Sequence, residues 1–500
     1  MIKKQIIGII IAAIALVAVI VVYNTVFSPM IEERTAAQDD APELLPGEEA
    51  GVANRFYMYS HLDREDMKSI EVENSYGSFK MLPDGNGSFY VDGYRGISLD
   101  PTAVSSLVTT CGSTLTKARV TKDASDEKLE EYGLKEPQAY WIVTDNDEKQ
   151  YKVYVGRALL TGGGYYCRFA GRNSVYVLDT TLGNTVLQPV ESFVTPYIIF
   201  GLSKNDYFTA DDFTVMNKNE KVISVGKIPK EDQVNPNALA ESVVKYPAPY
   251  VPDTETYYGI LQGFTSFTGD STYKLGTTEE DLKECGLDDP DFAVSFEYGG
   301  SHYYFLLKDD GEGEYFVVSG IYPDIITKIA KRNVPYLQYD LLKWLYPYVF
   351  RRDIKTISTI AIKTASHNEK FYITHFDEGD YGESIQVRSD NGLQLMTEDE
   401  TYQFRQLYGE LLNIAIKDYL PDEASEGVPM DEFVKDPENL TMRVEFETLS
   451  GEKLVYEYYR YSTRRCAISV NGRFDFCALN DDVKRIENDL EKILAGERIK

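Results

Sequence analysis

A helix-ending pattern that recurs at domain spacing constrains this chain more than any other feature. Ser125 opens Ser-Asp-Glu-Lys-Leu-Glu-Glu-Tyr-Gly-Leu-Lys-Glu-Pro, which closes at Pro137, and Thr277 opens Thr-Thr-Glu-Glu-Asp-Leu-Lys-Glu-Cys-Gly-Leu-Asp-Asp-Pro, which closes at Pro290. Each reads as a short helix with a physical start and stop. Ser125 and Thr277 serve as N-caps ahead of an acidic first turn, which suits the positive end of the helix dipole. Thr277 and Glu280 also have capping-box spacing. Gly133 and Gly286 sit where the chain turns left-handed to leave the helix. Leu134 then folds back on Leu129, and Leu287 on Leu282, before Pro137 and Pro290 forbid further helix. A weaker third copy, Met430-Asp431-Glu432-Phe433-Val434-Lys435-Asp436-Pro437, lacks the glycine, so its helix end must differ. The three prolines stand about 150 residues apart, the period of tandem domains and not of solenoid units.

The segments around each copy repeat as well. After each proline come strand-like runs, Tyr140 to Val143, Ala293 to Tyr298 and Met442 to Glu447, then turn residues. Second strands follow at Tyr151 to Val155, His302 to Leu307 and Leu454 to Tyr459, and third strands at Tyr165 to Phe169, Glu314 to Val318 and Cys466 to Val470. Tyrosine and β-branched residues dominate them, as strands prefer. Upstream, each copy opens with a strand (Ser69 to Glu73, Phe213 to Met216, Thr359 to Lys363), then a hairpin and a longer helix. The longer helix of the third copy has Thr397 and Glu400 as a capping box, with Phe404, Leu407, Leu411 and Ile414 as its apolar stripe. Asp100-Pro101 starts the helix of the first. The fold class is therefore α+β: three tandem repeats, each a mostly antiparallel sheet with one longer and one short packed helix, after an N-terminal transmembrane helix. The boundaries read as 1–27 anchor, 28–55 acidic stalk, and repeat domains at 56–208, 209–352 and 353–500. The aromatic run Trp344-Leu345-Tyr346-Pro347-Tyr348 reads as packing between domains and not as a binding box.

The N-terminus sets the compartment. Ile6 to Val22 contains no polar side chain, and the run to Phe27 spans roughly 33 Å as a helix, the thickness of a hydrocarbon core. Lys3 and Lys4 precede it and carboxylates follow, which places the N-terminus in the cytoplasm and the rest outside. No small-x-small site follows the apolar run, so it reads as an uncleaved single-pass anchor. Residues 28–55 carry prolines and many carboxylates, including Glu48 and Glu49, and read as a solvated spacer. The chain has 51 Lys and Arg against 80 Asp and Glu, a net charge of −29. That balance argues against nucleic acid as a partner, since phosphate contacts need Lys and Arg.

The combination Tyr132-Gly133-Leu134-Lys135-Glu136-Pro137, then Tyr154-Val155-Gly156, Tyr165-Tyr166 and Val175-Tyr176-Val177, resembles the bacterial family called domain of unknown function 4340. The resemblance runs over nearly the whole chain after residue 60 and is strongest in the first two copies. It implies one N-terminal membrane helix and repeated copies of the domain. It also implies a place beside ABC transporter components, including the gliding-motility type of exporter, and it brings no catalytic residues to carry over.

Motifs that carry chemistry are mostly lacking in the sequence. His61, His302, His367 and His375 lie in no zinc motif, although His367 and His375 flank one hairpin. Neither a nucleophile elbow nor a Walker sequence is present. Gly162-Gly163-Gly164 reads as a hairpin loop, because no helix follows to cradle phosphate. Acidic turns at Asp84-Gly85-Asn86-Gly87, Asp145-Asn146-Asp147 and Asp309-Asp310-Gly311-Glu312 are explained by turn chemistry as well as by calcium. The five cysteines, Cys111, Cys167, Cys285, Cys466 and Cys477, form no disulfide framework. One pair has the right arithmetic. An Asn471-Gly472 turn that pairs Val470 with Arg473 places Cys466 opposite Cys477, within reach of a disulfide. No residue is thus assigned a catalytic, cofactor-binding or metal-ligating role, and no cofactor is expected. The functional expectation is a non-enzymatic, membrane-anchored extracytoplasmic accessory or scaffold protein of an ABC transporter or envelope complex, with a transporter permease or envelope protein as partner. Two alternatives stand beside it: a ligand-binding module for cell-wall glycan or peptide using exposed tyrosines, and a hydrolase with a dispersed carboxylate site.

Overall fold

The computed structural model describes residues 43–52, 55–202, 210–234, 241–377 and 383–499. The predicted anchor, 1–27, and the first part of the predicted stalk lie outside them. Among the described residues no helix is long and apolar enough to cross a membrane. The described residues form two compact units, divided between Val194 and Thr195.

In the first unit, residue alternation builds one large sheet. Its strands are β1 (Met67–Asn74), β2 (Gly77–Pro83), β3 (Phe89–Val91), β4 (Ala118–Thr121), β5 (Ala139–Asp145), β6 (Gln150–Ala158), β7 (Gly164–Phe169) and β8 (Val175–Asp179). They lie in the order β3-β2-β1-β5-β6-β7-β8-β4, antiparallel throughout. Trp141, Val143, Val153, Val155 and Cys167 point to the buried face. There Tyr59 lies between the Trp141 indole and the end of the long helix α1 (Pro101–Gly112). Asp100 caps α1 by accepting from the Thr102 and Ala103 amides, with Pro101 in the first turn, as the sequence predicts. The short helix α2 (Asp126–Glu131) lies on the opposite face, where Leu129 and Leu134 pack with Val175, Tyr154 and Tyr166, and α3 (Thr180–Val186) follows β8.

The acidic spacer does not extend through residue 55. Glu49–Ala50 pairs with Phe56–Tyr57, which pairs in turn with Leu115–Thr116. The Glu48 side chain is fully buried and lies 2.6 Å from the Arg119 guanidinium. It also accepts from the Tyr176 hydroxyl at 2.5 Å and the Leu45 amide at 2.7 Å. Local composition reads such a glutamate as solvated. A partner 71 residues away makes its burial tolerable, because a buried charge needs both an opposite charge and hydrogen bonds.

The second unit contains two large sheets. The first is built from β9 (Asp212–Asn217), β10 (Glu220–Lys227), β11 (Ser242–Tyr246), β12 (Ser271–Leu275), β13 (Phe292–Tyr298), β14 (Ser301–Asp309), β15 (Glu314–Ser319) and β16 (Ile325–Ala330), in the order β11-β10-β9-β13-β14-β15-β16-β12. Its long helix is α4 (Thr254–Gly263) and its short helix α5 (Glu279–Glu284). After the brief α6 (Leu341–Trp344) comes the other sheet. It is built from β17 (Ile357–Thr364), β18 (Asn368–Asp377), β19 (Glu383–Ser389), β20 (Gln394–Leu395), β21 (Asp418–Tyr419), β22 (Leu440–Thr448), β23 (Lys453–Tyr459), β24 (Arg465–Val470) and β25 (Arg473–Leu479). Its order is β20-β19-β18-β17-β22-β23-β24-β25-β21. Its helices are α7 (Glu398–Leu412), α8 (Met430–Phe433) and the closing α9 (Asn480–Leu494), which packs on α7 with Arg485 2.6 Å from Glu410. Thr397 and Glu400 form the predicted capping box, and Phe404, Leu407, Leu411 and Ile414 are all buried.

All three sheets follow one plan. The opening strand is central, a hairpin leads outward from it, and the strand after the long helix crosses to the far edge. A four-strand meander then fills the space between. A break at 352/353 does not separate the second sheet from the third, because Phe213, Val294 and Phe305 of one share a single apolar core with Ile360, Phe371 and Tyr456 of the other. Buried Asp232 accepts from the Ser450 amide at 3.0 Å and hydroxyl at 2.7 Å, and Tyr250 donates to Asp475 at 2.9 Å. Trp344 is buried, and its neighbour Leu345 bridges to Pro252. The first boundary also moves: Tyr197–Phe200, placed with the first domain from sequence, pairs with Ser266–Thr268 in the second unit.

Two local predictions shift by one residue. The N-cap of α5 is Thr278, not Thr277, and its capping-box partner is Asp281, not Glu280. The Asn471-Gly472 turn forms with both residues at positive φ, and Val470 pairs with Arg473. A bulge between Ile468 and Ser469 then shifts the register, so Cys477 lies opposite Ala467 and Cys466 opposite Ala478. Because side chains alternate faces, the two thiols point to opposite sides of the sheet. All five cysteines are buried and free.

Candidate functional site

The place most worth reading chemically is the end of the short helix in each sheet, where the repeated sequence pattern concentrates. In the first sheet Ser125 caps α2, accepting from the Lys128 amide. The helix leaves through Gly133 at φ +69°, with the Leu134 amide bonded to the Leu129 carbonyl at 2.7 Å and the Gly133 amide to the Glu130 carbonyl at 3.0 Å. This is the Schellman end expected from the sequence. Leu134 is fully buried beneath it. The adjacent strand is held close: the Arg157 amide donates to the Tyr132 carbonyl at 2.8 Å, and Gln138 Nε2 donates to the Gly156 carbonyl at 2.5 Å.

Between helix end and strand lies a groove of about 510 Å³ lined by Glu130, Lys135, Glu136, Gln138 and Arg157 among others. Two cations and two carboxylates thus face one recess. Lys135 Nζ lies 3.7 Å from Glu130 and 3.5 Å from Asp126. Such a lining can hold a polar or zwitterionic group by hydrogen bonds.

The sheet face beside it carries an aromatic ladder that sequence reasoning did not locate. Tyr132 stacks on Tyr166 at 4.3 Å. Lys152 Nζ sits 3.6 Å above the Tyr140 ring and 5.0 Å from that of Tyr154, and the Arg168 guanidinium is 4.8 Å from Tyr154. Tyr140 donates to Glu73, and that bond pushes its phenol up to about 12. The signal was available in the alternation Tyr140, Lys152, Tyr154, Arg168, but only the register of β5, β6 and β7 makes these residues neighbours.

The equivalent places in the other sheets are lined differently. In the second, Gly286 at φ +67° and buried Leu287 repeat the helix end. Lys308 stands where the first sheet has Gly156, and its Nζ bonds the Asp289 carbonyl at 2.8 Å and Asp291 at 3.3 Å. In the third, Val434 replaces the buried leucine, and a groove of about 680 Å³ opens beside it over Met430, Tyr459 and Phe474.

The titratable groups do not converge on a catalytic centre. Every carboxylate with a shifted pKa among the described residues moves downward. Asp281 falls to about 2 through the Thr278 hydroxyl and amide and Lys274. Burial opposes ionisation of Asp310, but Lys328 and the Glu312 and Glu314 amides outweigh it and hold the group at about 2. The acidic turns use their carboxylates internally: Asp84 accepts from the Asn86 and Ser88 amides, and Asp145 from those of Asp147 and Lys149. His367 lies at the hairpin turn and His375 far along β18, bonded to the Ile357 carbonyl at 2.9 Å, too distant to share a metal. No cluster of three or more His, Cys, Asp or Glu fit to hold a metal occurs among the described residues.

No curated protein and no solved structure matches the chain. Residues 90–246 match the family model described as Domain of unknown function (DUF4340). That window opens in β3 and closes in β11, equivalent strands of the first and second sheets, so it covers one full period of the strand plan and contains α2, its Schellman end and the groove. Across that stretch the chain is similar to this family.

Proposed function

We propose that the protein is a non-enzymatic scaffold, built from three copies of one sheet unit and held outside the membrane by residues 1–27. In this reading it serves an ABC transporter or another envelope complex as an accessory subunit. The observation that carries the reading is the relining of one topological place: a mixed-charge groove in the first sheet, a lysine-filled site in the second and an apolar, acid-rimmed groove in the third. Repetition of a framework with divergence at one position provides several different contact surfaces on one chain, which is what an assembly factor uses. The apolar run from Ile6, preceded by Lys3 and Lys4, supports the anchor and its orientation. The test is affinity purification of the full chain from native membranes in mild detergent after crosslinking. Co-purification of an integral membrane partner in defined ratio is expected. Recovery from the soluble fraction, alone, would overturn the reading.

A second reading has its own observation. The Tyr140–Lys152–Tyr154–Arg168 ladder offers flat, partly exposed ring faces of the kind that stack on sugars or peptide planes. Under that reading, cell-wall glycan or peptide fragments quench tyrosine fluorescence, and Tyr154→Ala abolishes the effect.

A further inference from the structure

The groove of the third sheet has features that the other two places lack. Its floor is apolar: Met430 and Tyr459 are buried, and Val434 and Phe474 are partly exposed to it. The reason is visible in the sequence of the helix end. Where the first two sheets place a buried leucine after glycine, the third has Phe433-Val434, and α8 closes without a glycine. The smaller side chain leaves the space beneath the helix end unfilled, and no lysine crosses it as Lys308 does in the second sheet.

The rim is acidic, formed by Asp422, Asp431, Glu457 and Asp475, against Lys435 as the one cation of the lining. Three of these carboxylates are held in place. Glu457 is fixed by Arg443 at 2.5 Å, Asp475 by Arg473 at 2.7 Å and by the Tyr250 hydroxyl at 2.9 Å, and Asp431 by Lys435 at 3.3 Å. The exposed Asp422 carboxylate has no such partner among the described residues. An apolar floor beside an unpaired carboxylate, in a chain of net charge −29, complements a side chain with an apolar body and a cationic head.

We infer that this groove binds a basic peptide segment of a partner protein, one carrying an apolar or aromatic residue next to Lys or Arg. The apolar residue occupies the space over Met430 and Val434, and the cation faces Asp422. The inference rests on the scaffold reading only in taking the peptide from a partner. The recess itself, at about 680 Å³, lies within the size range of ligand pockets.

The test uses the full chain in detergent and a fluorescent heptapeptide alternating Lys with Leu and Phe, read by anisotropy. Binding is expected to weaken with salt and to fail for the same peptide with Glu in place of Lys. Asp422→Asn, an exposed substitution that leaves the fold intact, is expected to weaken binding about three- to fivefold, the worth of one surface charge contact. Val434→Trp fills the recess and should abolish binding, with circular dichroism to show that the variant remains folded. Glu255→Gln, on the exposed side of α4 and outside both groove linings, should leave it unchanged. Equal binding of the acidic peptide, or indifference to both third-sheet variants, overturns the inference, as does a concentration-dependent dimer that Val434→Trp dissolves, since the occupant would then be a second copy. The scaffold reading is judged separately. If the membrane partner still co-purifies with Val434→Trp, the groove fails as its docking site while the scaffold stands.

Discussion

The helix ends of α5 and α8 occupy the same place in two sheets of one unit, yet one is closed and the other open. Thr278 caps α5 through a complete capping box, Gly286 turns the chain, and Leu287 is 2% exposed with its amide bonded to the Leu282 carbonyl at 2.7 Å. In contrast, α8 has Pro429 at its N-cap position with no side-chain cap, lacks glycine at its end, and sets Val434 at the edge of a cavity. The flanking strands correspond one to one. The difference between these two ends therefore needs no change in topology: α5 ends on a Gly-Leu pair with the leucine buried, and α8 ends without one.

That contrast can be broken most directly by truncation. Leu287→Ala and Leu134→Ala are each expected to cost about 3 kcal/mol, because a buried leucine leaves a cavity. Val434→Ala should cost about 1 kcal/mol, its side chain being only partly buried at the edge of the groove. Urea denaturation monitored by circular dichroism measures all three, and equal costs would mean that the α8 end is as well packed as that of α5. Next in size is Gly286→Ala, expected to cost about 1–2 kcal/mol, since at φ +67° a Cβ meets the following carbonyl and the Lys308 side chain as well. Glu432→Ala, on exposed α8, should stay within about 0.5 kcal/mol.

The caps provide a smaller contrast. Thr278→Ala removes a hydrogen bond to a first-turn amide and should cost about 1 kcal/mol, with faster amide exchange confined to α5. The smallest effect is a pH dependence. The Asp281 carboxyl is held at about 2 in the folded chain, below its ordinary 3.8, by the Thr278 hydroxyl and amide and by Lys274. A depressed folded pKa contributes stability above the unfolded value and loses it as pH falls toward the folded one. Protection of the α5 amides, corrected for intrinsic exchange, should therefore decline between pH 4 and 2. Asp281→Asn should start less protected and lose this decline. A decline that survives the substitution would assign the acid sensitivity to another group.

The elements legible in the sequence are those whose causes are local. Caps, Schellman ends and hairpin turns are set by residues a few positions apart, so Ser125, Asp100-Pro101, Thr397 with Glu400, and Asn471-Gly472 all act as expected. Where two candidates lay side by side, as with Thr277 and Thr278, local chemistry did not choose between them. The strands of each meander lie within a few residues of where alternation places them. Less of the site was legible. The helix ends that frame the grooves were evident, whereas the grooves and the tyrosine–lysine ladder required strand register. Edge strands such as β4 were not evident, since four residues carry little periodicity and their partner is far along the chain.

Sequence alone determined the repeating period, the central strands of each large sheet and the glycine-terminated helix ends, because steric and hydrogen-bonding rules act over single turns. Only the tertiary structure decided the rest. It buried Glu48 against Arg119 and Tyr176, where composition reads a solvated spacer. It inserted a bulge that turned Cys466 and Cys477 to opposite faces. It also merged the second and third sheets around one core, closed by Asp232 with Ser450 and Tyr250 with Asp475. Each of these depends on residues far apart in the chain, and the energy of such contacts exists only once the backbone has brought them together.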